Sequence, residues 1–155
     1  MAHKISQTWP ALVLALALLA CRPASAQAPF AMPGGSLQGQ PVTGIAASSG
    51  TVAAGAATAT LPAVQGRFTY ICGFAITSSG STPAIVVAPT VVGAIGGTQT
   101  YAYATVAGVL LANAPLVVPF TPCLPSSAVN TAIVVSIPSL GAGNTNTTVS
   151  AWGYQ

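Results

Sequence analysis

The sequence lacks acidic side chains altogether and has few basic ones. Its 155 residues contain no Asp or Glu, three Lys and Arg taken together, and a single His. His3, Lys4 and Arg22 lie in the first 26 residues, so Arg67 is the only charged side chain in the remainder. A nucleic-acid-binding surface needs clustered cations to neutralise phosphates, so residues 27–155 exclude nucleic acid as a partner.

The missing acids and histidines also remove most routes to catalysis. General acid–base chemistry uses His, Asp, Glu or Lys, and none of these occurs after residue 26. A serine nucleophile would lack a base, and a cysteine nucleophile would have no His beside it. Two thiols without His or carboxylate cannot complete a tetrahedral zinc shell. We therefore expect no enzyme activity, no metal and no cofactor.

The first 26 residues have the pattern of a secretory signal peptide. A weakly basic start is followed by the apolar run ALVLALALLA at residues 11–20, which is too short for a membrane span of about 20 residues. The small residues ASA then predict cleavage between Ala26 and Gln27, which gives a secreted or periplasmic chain without a transmembrane span. The run LLAC, which ends at Cys21, resembles a bacterial lipobox, so attachment through a lipid on Cys21 is the alternative and an uncleaved anchor is a third.

The remaining chain divides into an arm and a domain. Residues 27–50 are rich in Pro, Gly and Gln, which favours a flexible N-terminal arm; an ordered arm exchanged between subunits is the alternative. Residues 51–155 carry short apolar and β-branched runs with turn residues about every 8–12 positions. This pattern predicts an all-β fold: a single β-sandwich or jelly-roll-like domain of about seven to eight strands.

The clearest strand pattern is RFTYICGFAIT at residues 67–77. Strict alternation would put its aromatic residues on one face, which we expect to lie in the core. Residues 51–61 fit a strand or a weak helix, and residues 108–114 could be half a helix, although Pro115 and a β-rich run follow them. Other strands are predicted at residues 84–92, where Pro89 indicates an edge or a bulge, and at 98–106, 115–120, 132–137 and 145–152.

Cys72 and Cys123 are the only thiols in a chain that begins at Gln27. Because export leads to an oxidising compartment, we expect them to form a disulfide. The alternative is two separate buried thiols, which behave as small hydrophobic side chains.

Four aromatic residues are candidates for contact with a ligand or a second subunit. Tyr101 and Tyr103 share one face of a predicted strand, and Trp152 and Tyr154 lie at the C-terminal end. Exposed aromatic rings stack on sugars, although such rings more often pack in a core. Surface glycan is therefore one predicted partner, without the carboxylates that sugar sites usually contain.

The near absence of charge favours association, because little electrostatic repulsion separates two copies of the chain. Its polar surface must consist of Ser, Thr, Asn and Gln, which form hydrogen bonds across strands and interfaces. We therefore expect an exported, non-catalytic structural or interaction protein that forms homo-oligomers. A glycan-binding, lectin-like module is the alternative.

Two segments carry a resemblance to known proteins: YICGFAIT at residues 70–77 and LPSSAVNTAIVVSIPSLGAGNTNTTVSAWGYQ at residues 124–155. They resemble a small β-sandwich type found among uncharacterised exported bacterial proteins and phage or prophage structural genes. The resemblance covers roughly residues 51–155, and it implies a structural role without functional residues to carry over. A signal peptide departs from a virion protein, which assembles in the cytoplasm, so the resemblance implies an exported relative of that fold.

Overall fold

The structure is a computed structural model, and it describes residues 42–155. Three predictions lie wholly outside the described residues: the signal peptide at residues 1–26, its cleavage between Ala26 and Gln27, and the alternative lipid attachment at Cys21. Most of the predicted arm, up to residue 41, also lies outside them.

The prediction of an all-β fold is confirmed. In the described part of the chain the regular structure consists of eleven strands and no helix, so no helix there could cross a membrane. The strands are β1 (Gly44–Ser48), β2 (Ala57–Leu61), β3 (Tyr70–Ser81), β4 (Val86–Val87), β5 (Thr90–Val92), β6 (Gln99–Thr100), β7 (Tyr103–Ala104), β8 (Gly108–Ala112), β9 (Leu116–Pro125), β10 (Ile133–Ile137) and β11 (Asn146–Tyr154).

All strand pairs are antiparallel, and they form three sheets. The five-stranded sheet has the order β1-β11-β3-β8, and β9 pairs with the same edge of β3 as a second neighbour. The four-stranded sheet has the order β2-β10-β5-β6, and β4 pairs with β7 alone. The two larger sheets contribute to one hydrophobic core, so the arrangement is sandwich-like.

The core follows from the alternation of side chains along the strands. On β2 and β10 every second residue is buried, and the residues between them, such as Thr58 and Ser136, are turned away from it. Full burial of a Leu, Ile or Phe side chain contributes about 1.5–3 kcal/mol. The completely covered hydrophobic side chains are Ala57, Leu61, Ile71, Phe74, Ile76, Val91, Ile133, Val135, Ile137, Leu140 and Val149.

A β-bulge in β3 changes the face on which its residues lie. Trp152 of β11 pairs with Gly73, whereas the next residue along β11 pairs with Ile71, so Cys72 is an extra residue on β3. Ile71 and Phe74 are both buried as a result, and Tyr70 is only half-buried. The prediction that the aromatic residues of this segment share one core face is therefore right for Phe74, which is fully buried, and wrong for Tyr70 and for Phe68, which is exposed.

The number of strands exceeds the expected seven or eight because two predicted strands are interrupted and β1 is additional. The predicted strand at residues 84–92 is split into β4 and β5 on either side of Pro89, which has no N–H to donate. The predicted strand at residues 98–106 is split into β6 and β7, which pair in different sheets. Residues 51–61 contain a strand, β2, and residues 108–114, for which half a helix was considered, contain β8.

The sheet begins earlier than the sequence predicted. Part of the range predicted to be a flexible arm, residues 44–48, forms β1, which pairs with β11 over its whole length. Its inward residues Ile45 and Ala47 pack against the core. In the run GIAAS only Ile45 has a large apolar side chain, so the alternation of inward and outward residues is weak in the sequence.

Because Gly153 has no side chain, β3 and β11 can approach each other closely at the bulge. We predict that Gly153→Ala lowers the free energy of unfolding by about 1–3 kcal/mol. A methyl group there would collide with the carbonyl oxygen of Tyr70. Gly44→Ala is the matched control, because the same added group meets open space on β1 and should change stability by less than about 0.5 kcal/mol. Urea denaturation of both variants measures this, and equal losses would contradict the assigned register.

Candidate functional site

Cys72 and Cys123 form a disulfide, as the sequence predicted. The S–S distance is 2.04 Å and the two Cα atoms are 4.2 Å apart. The bond joins β3 to β9 at the bulge, where the pairing of β9 is also interrupted: Gly73 pairs with Pro119, but Ile71 pairs with Leu124. The disulfide therefore links two neighbouring strands at the point where their hydrogen-bond ladder is irregular.

Three aromatic side chains lie together on the outer side of the five-stranded sheet, beside this disulfide. Tyr70 and Tyr154 are paired across β3 and β11, and their rings stack with centroids 4.6 Å apart and planes 13° from parallel. Trp152 lies two residues from Tyr154 on the same side of β11. All three are partly exposed. We call Tyr70, Trp152 and Tyr154 the aromatic face.

Trp152 covers a glycine on the neighbouring strand. A Cβ atom on Gly73 would lie 2.5 Å from Cζ2 of Trp152, so the indole occupies the space above Gly73. An aromatic ring placed over a cross-strand glycine supplies the packing that glycine itself lacks. The ring therefore has one side against the sheet, and its remaining exposed surface is directed to solvent.

Neutral, mostly small side chains surround the aromatic face in the same rows of the sheet. Gly44 and Pro125 flank the Tyr154–Tyr70 pair, and Ala46 and Pro119 flank the Trp152–Gly73 pair. In the next row the outward residues are Ser48, Ser150, Ala75 and Val117, of which Val117 is 57% exposed.

The other two predicted aromatic candidates lie elsewhere and have structural roles. Tyr103 is buried, and its hydroxyl forms a hydrogen bond of 2.9 Å with Ser78. Tyr101 packs edge-on against Phe74 with ring centroids 5.0 Å apart, and its hydroxyl donates to Gln99. The structure therefore brings Trp152 and Tyr154 together but does not bring Tyr101 and Tyr103 to them.

Tyr70 is the residue of the aromatic face that sequence reasoning missed, because uninterrupted alternation assigned it to the core. The signal was present at Gly73, since a glycine inside a strand pattern often marks a bulge. A bulge there moves Tyr70 to the side opposite Phe74, which is where the structure has it.

The ionisable groups of the site are phenols. Burial raises the pKa of Tyr154, and the neighbouring Tyr70 raises it further by charge repulsion. Burial also raises the pKa of Tyr101 and of Tyr103, the latter against the opposing effect of its hydrogen bond to Ser78. In the described part of the chain no group of three His, Cys, Asp or Glu residues could hold a metal ion. The chemistry that these residues offer is ring stacking and neutral hydrogen bonding.

No protein-family model matches the chain, and no curated protein matches it.

The stability of a chain that begins at Gln27 should be nearly independent of pH from about pH 3 to pH 8, because it has no Asp, Glu or His side chain to titrate. Three tyrosines have raised pKa values in the folded state. The unfolded chain therefore ionises first, and stability should fall as the pH rises above about 10, the ordinary tyrosine value. Thermal unfolding across this range measures both parts, and a steep loss at acid pH would contradict the prediction.

Removing the disulfide should destabilise the chain strongly. The two cysteines are 51 residues apart, and closing a loop of that length is worth about 4 kcal/mol in the chain-entropy model. We expect the double variant Cys72→Ser, Cys123→Ser to unfold at a correspondingly lower denaturant concentration than the oxidised protein. Addition of reductant should lower the midpoint of the native protein and leave that of the double variant unchanged.

Proposed function

We propose that the protein is an exported, non-catalytic structural subunit that self-associates, built as a single β-sandwich of the jelly-roll type. Export is supported by the signal-peptide pattern and by the disulfide, which forms in oxidising compartments. The absence of Asp, Glu, His and Lys after residue 26 supports a role without catalysis. The observation that carries self-association is the open edge of β1.

β1 uses only one of its two edges within the described residues. It pairs with β11, and no other described strand forms a ladder with it. Thr43 and Gln155 exchange backbone hydrogen bonds of 3.1 and 3.0 Å, and Ser49 donates to Val149. Because hydrogen-bonded residues alternate in an antiparallel pair, the backbone N–H and C=O groups of Gly44, Ala46 and Ser48 point away from β11. These groups can accept another strand.

This edge has none of the features by which edge strands avoid pairing. Natural edges carry charges, prolines or bulges. β1 has the sequence GIAAS, and its register with β11 is unbroken over five residue pairs. Gly44, Ala46 and Ser48 are exposed, small and uncharged, so their side chains present no bulk or charge to an approaching strand. Strand addition at such an edge combines main-chain hydrogen bonds with side-chain contacts on both faces.

We expect the oxidised chain that begins at Gln27 to form dimers or larger assemblies, and the assembled fraction should rise with protein concentration. Ala46→Pro should weaken this association about tenfold or more, because it removes an outward N–H donor without removing a hydrogen bond to β11. Ala46→Ser is the matched control, since it keeps the N–H and a small side chain. Native mass spectrometry over a concentration series measures the assembly state.

Hydrogen exchange tests the same edge in the unaltered protein. The amides of Gly44, Ala46 and Ser48 should become protected as the protein concentration rises, while the already paired amides of β11 change little. A monomer at every concentration would exclude self-association as the function. Association that is unchanged in folded Ala46→Pro would place the interface away from β1.

A further inference from the structure

The polar atoms of the aromatic face differ from those of the other aromatic residues. Among the described residues no hydrogen-bond partner is present for the hydroxyls of Tyr70 and Tyr154 or for Nε1 of Trp152, and no buried side-chain polar atom lacks a partner. The three side chains are themselves partly exposed. Tyr101 and Tyr103, by contrast, use their hydroxyls inside the protein. The aromatic face thus carries three hydrogen-bonding groups, at the edges of apolar rings, that no described residue uses.

The face is held in place before any ligand arrives. The rings of Tyr70 and Tyr154 support each other, Trp152 rests on Gly73, and the disulfide of Cys72 holds β3 against β9. A surface that is already ordered loses little conformational entropy on binding. Aromatic side chains add large contact areas with few rotatable bonds, which is the composition of many recognition surfaces.

The surrounding surface restricts the kind of ligand. None of the outward strand residues in the three rows around the face is charged, and most are small or carry a hydroxyl group. An anionic ligand would find no cation on these strands to replace its lost hydration. The rows are open at both ends, and neighbouring residues of one face are about 7 Å apart along a strand. The surface thus fits an extended, neutral ligand better than a compact one.

We infer that the aromatic face binds a neutral, β-linked polysaccharide chain. The pyranose rings of such a chain present C–H groups on their flat sides, which would stack on the outward side of the Trp152 indole. Tyr70 and Tyr154 stack on each other, so they would offer the chain their ring edges and hydroxyls. The equatorial hydroxyls of the sugars lie at the rim, within reach of the phenol and indole groups and of Ser150 beside them. A β-linked chain forms a flat ribbon, so it can lie across an open sheet surface without a groove. This inference does not depend on self-association through β1.

Tryptophan fluorescence provides a direct test, because a chain that begins at Gln27 contains Trp152 as its only tryptophan. Hydroxyethylcellulose is the neutral probe, and carboxymethylcellulose has the same backbone with added negative charge. We expect a saturable change in the emission of Trp152 with hydroxyethylcellulose and at least tenfold weaker binding of carboxymethylcellulose. Equal or tighter binding of the charged polymer would overturn the inference.

Two matched variants locate the site. Tyr154→Phe and Tyr101→Phe each remove one phenol hydroxyl and keep the ring, but only Tyr154 lies on the aromatic face. Tyr154→Phe should weaken binding about threefold or more, as expected for one lost hydrogen bond, and Tyr101→Phe should leave it unchanged. Tyr154→Ala, which also removes the stacked ring, should weaken binding at least tenfold. Equal binding by all three variants would place the site elsewhere.

Self-association and sugar binding are distinguished by measuring the emission of Trp152 while either the protein concentration or the polymer concentration is varied and the other is held constant. Emission that changes with protein concentration alone, and not with either polymer, would show that a second copy covers the face and would overturn the inference. Emission that changes with hydroxyethylcellulose in Ala46→Pro, where the edge of β1 is blocked, would support it independently of assembly.

Discussion

The bulge at Cys72 determines both sides of the five-stranded sheet. β3 pairs with β11 on one edge and with β8 and β9 on the other, so every strand of that sheet except β1 contacts it directly. One extra residue reverses the alternation of side chains along it. On one side of the bulge Tyr70 faces outward, and on the other side Phe74 and Ile76 fill the core. With regular alternation in place of the bulge, Tyr70 and Phe74 would lie on the same side of the sheet.

The disulfide and Trp152 act at the same place. A bulge interrupts the backbone ladder, and Cys72–Cys123 supplies a covalent link between β3 and β9 where regular pairing stops. Trp152 covers Gly73, the residue that follows the bulged cysteine. The aromatic face is thus a consequence of how the sheet accommodates its irregularity, and its rings contribute to packing as well as to any binding. Variants that keep the ring are for this reason the more informative ones.

In the described part of the chain, hydrogen bonds between neutral groups connect the strands and loops to one another. Asn144 joins its own segment to two others: its Nδ2 donates to the carbonyl oxygen of Ser79 at 3.0 Å, and its Oδ1 accepts from the N–H of Ala54 at 3.3 Å. The same Oδ1 accepts from the hydroxyl of Thr147 at 3.0 Å. Asn113 donates to the hydroxyl of Ser78, which also bonds to Tyr103. Buried polar groups that are fully paired specify one arrangement of the core, because any alternative leaves some of them unpaired. None of these groups titrates below the range of a phenol.

The sequence was sufficient for properties that depend on composition or on a single pair of residues. The all-β class followed from short β-branched runs between turn residues, and the disulfide followed from Cys72 and Cys123 being the last two thiols. The sequence was insufficient for features that depend on strand pairing between distant segments, such as β1 and the bulge in β3. Nothing adjacent in sequence to residues 44–48 indicates that β11, a hundred residues later, will pair with them. The bulge likewise depends on the register that β9 and β11 impose on β3 from both sides.

The open edge and the aromatic face are adjacent, and this has a physical consequence for how they would act together. Gly44 and Ala46 of β1 lie in the same rows as Tyr154 and Trp152. A strand added to β1 would continue those rows and place its own outward side chains beside the aromatic face. Two copies paired antiparallel at β1 would then bring their aromatic faces onto one continuous sheet surface. A long polysaccharide that spans both faces would bind the pair more tightly than one copy, since the second contact is intramolecular. By linkage, such a ligand would strengthen the pairing of β1 by the same factor.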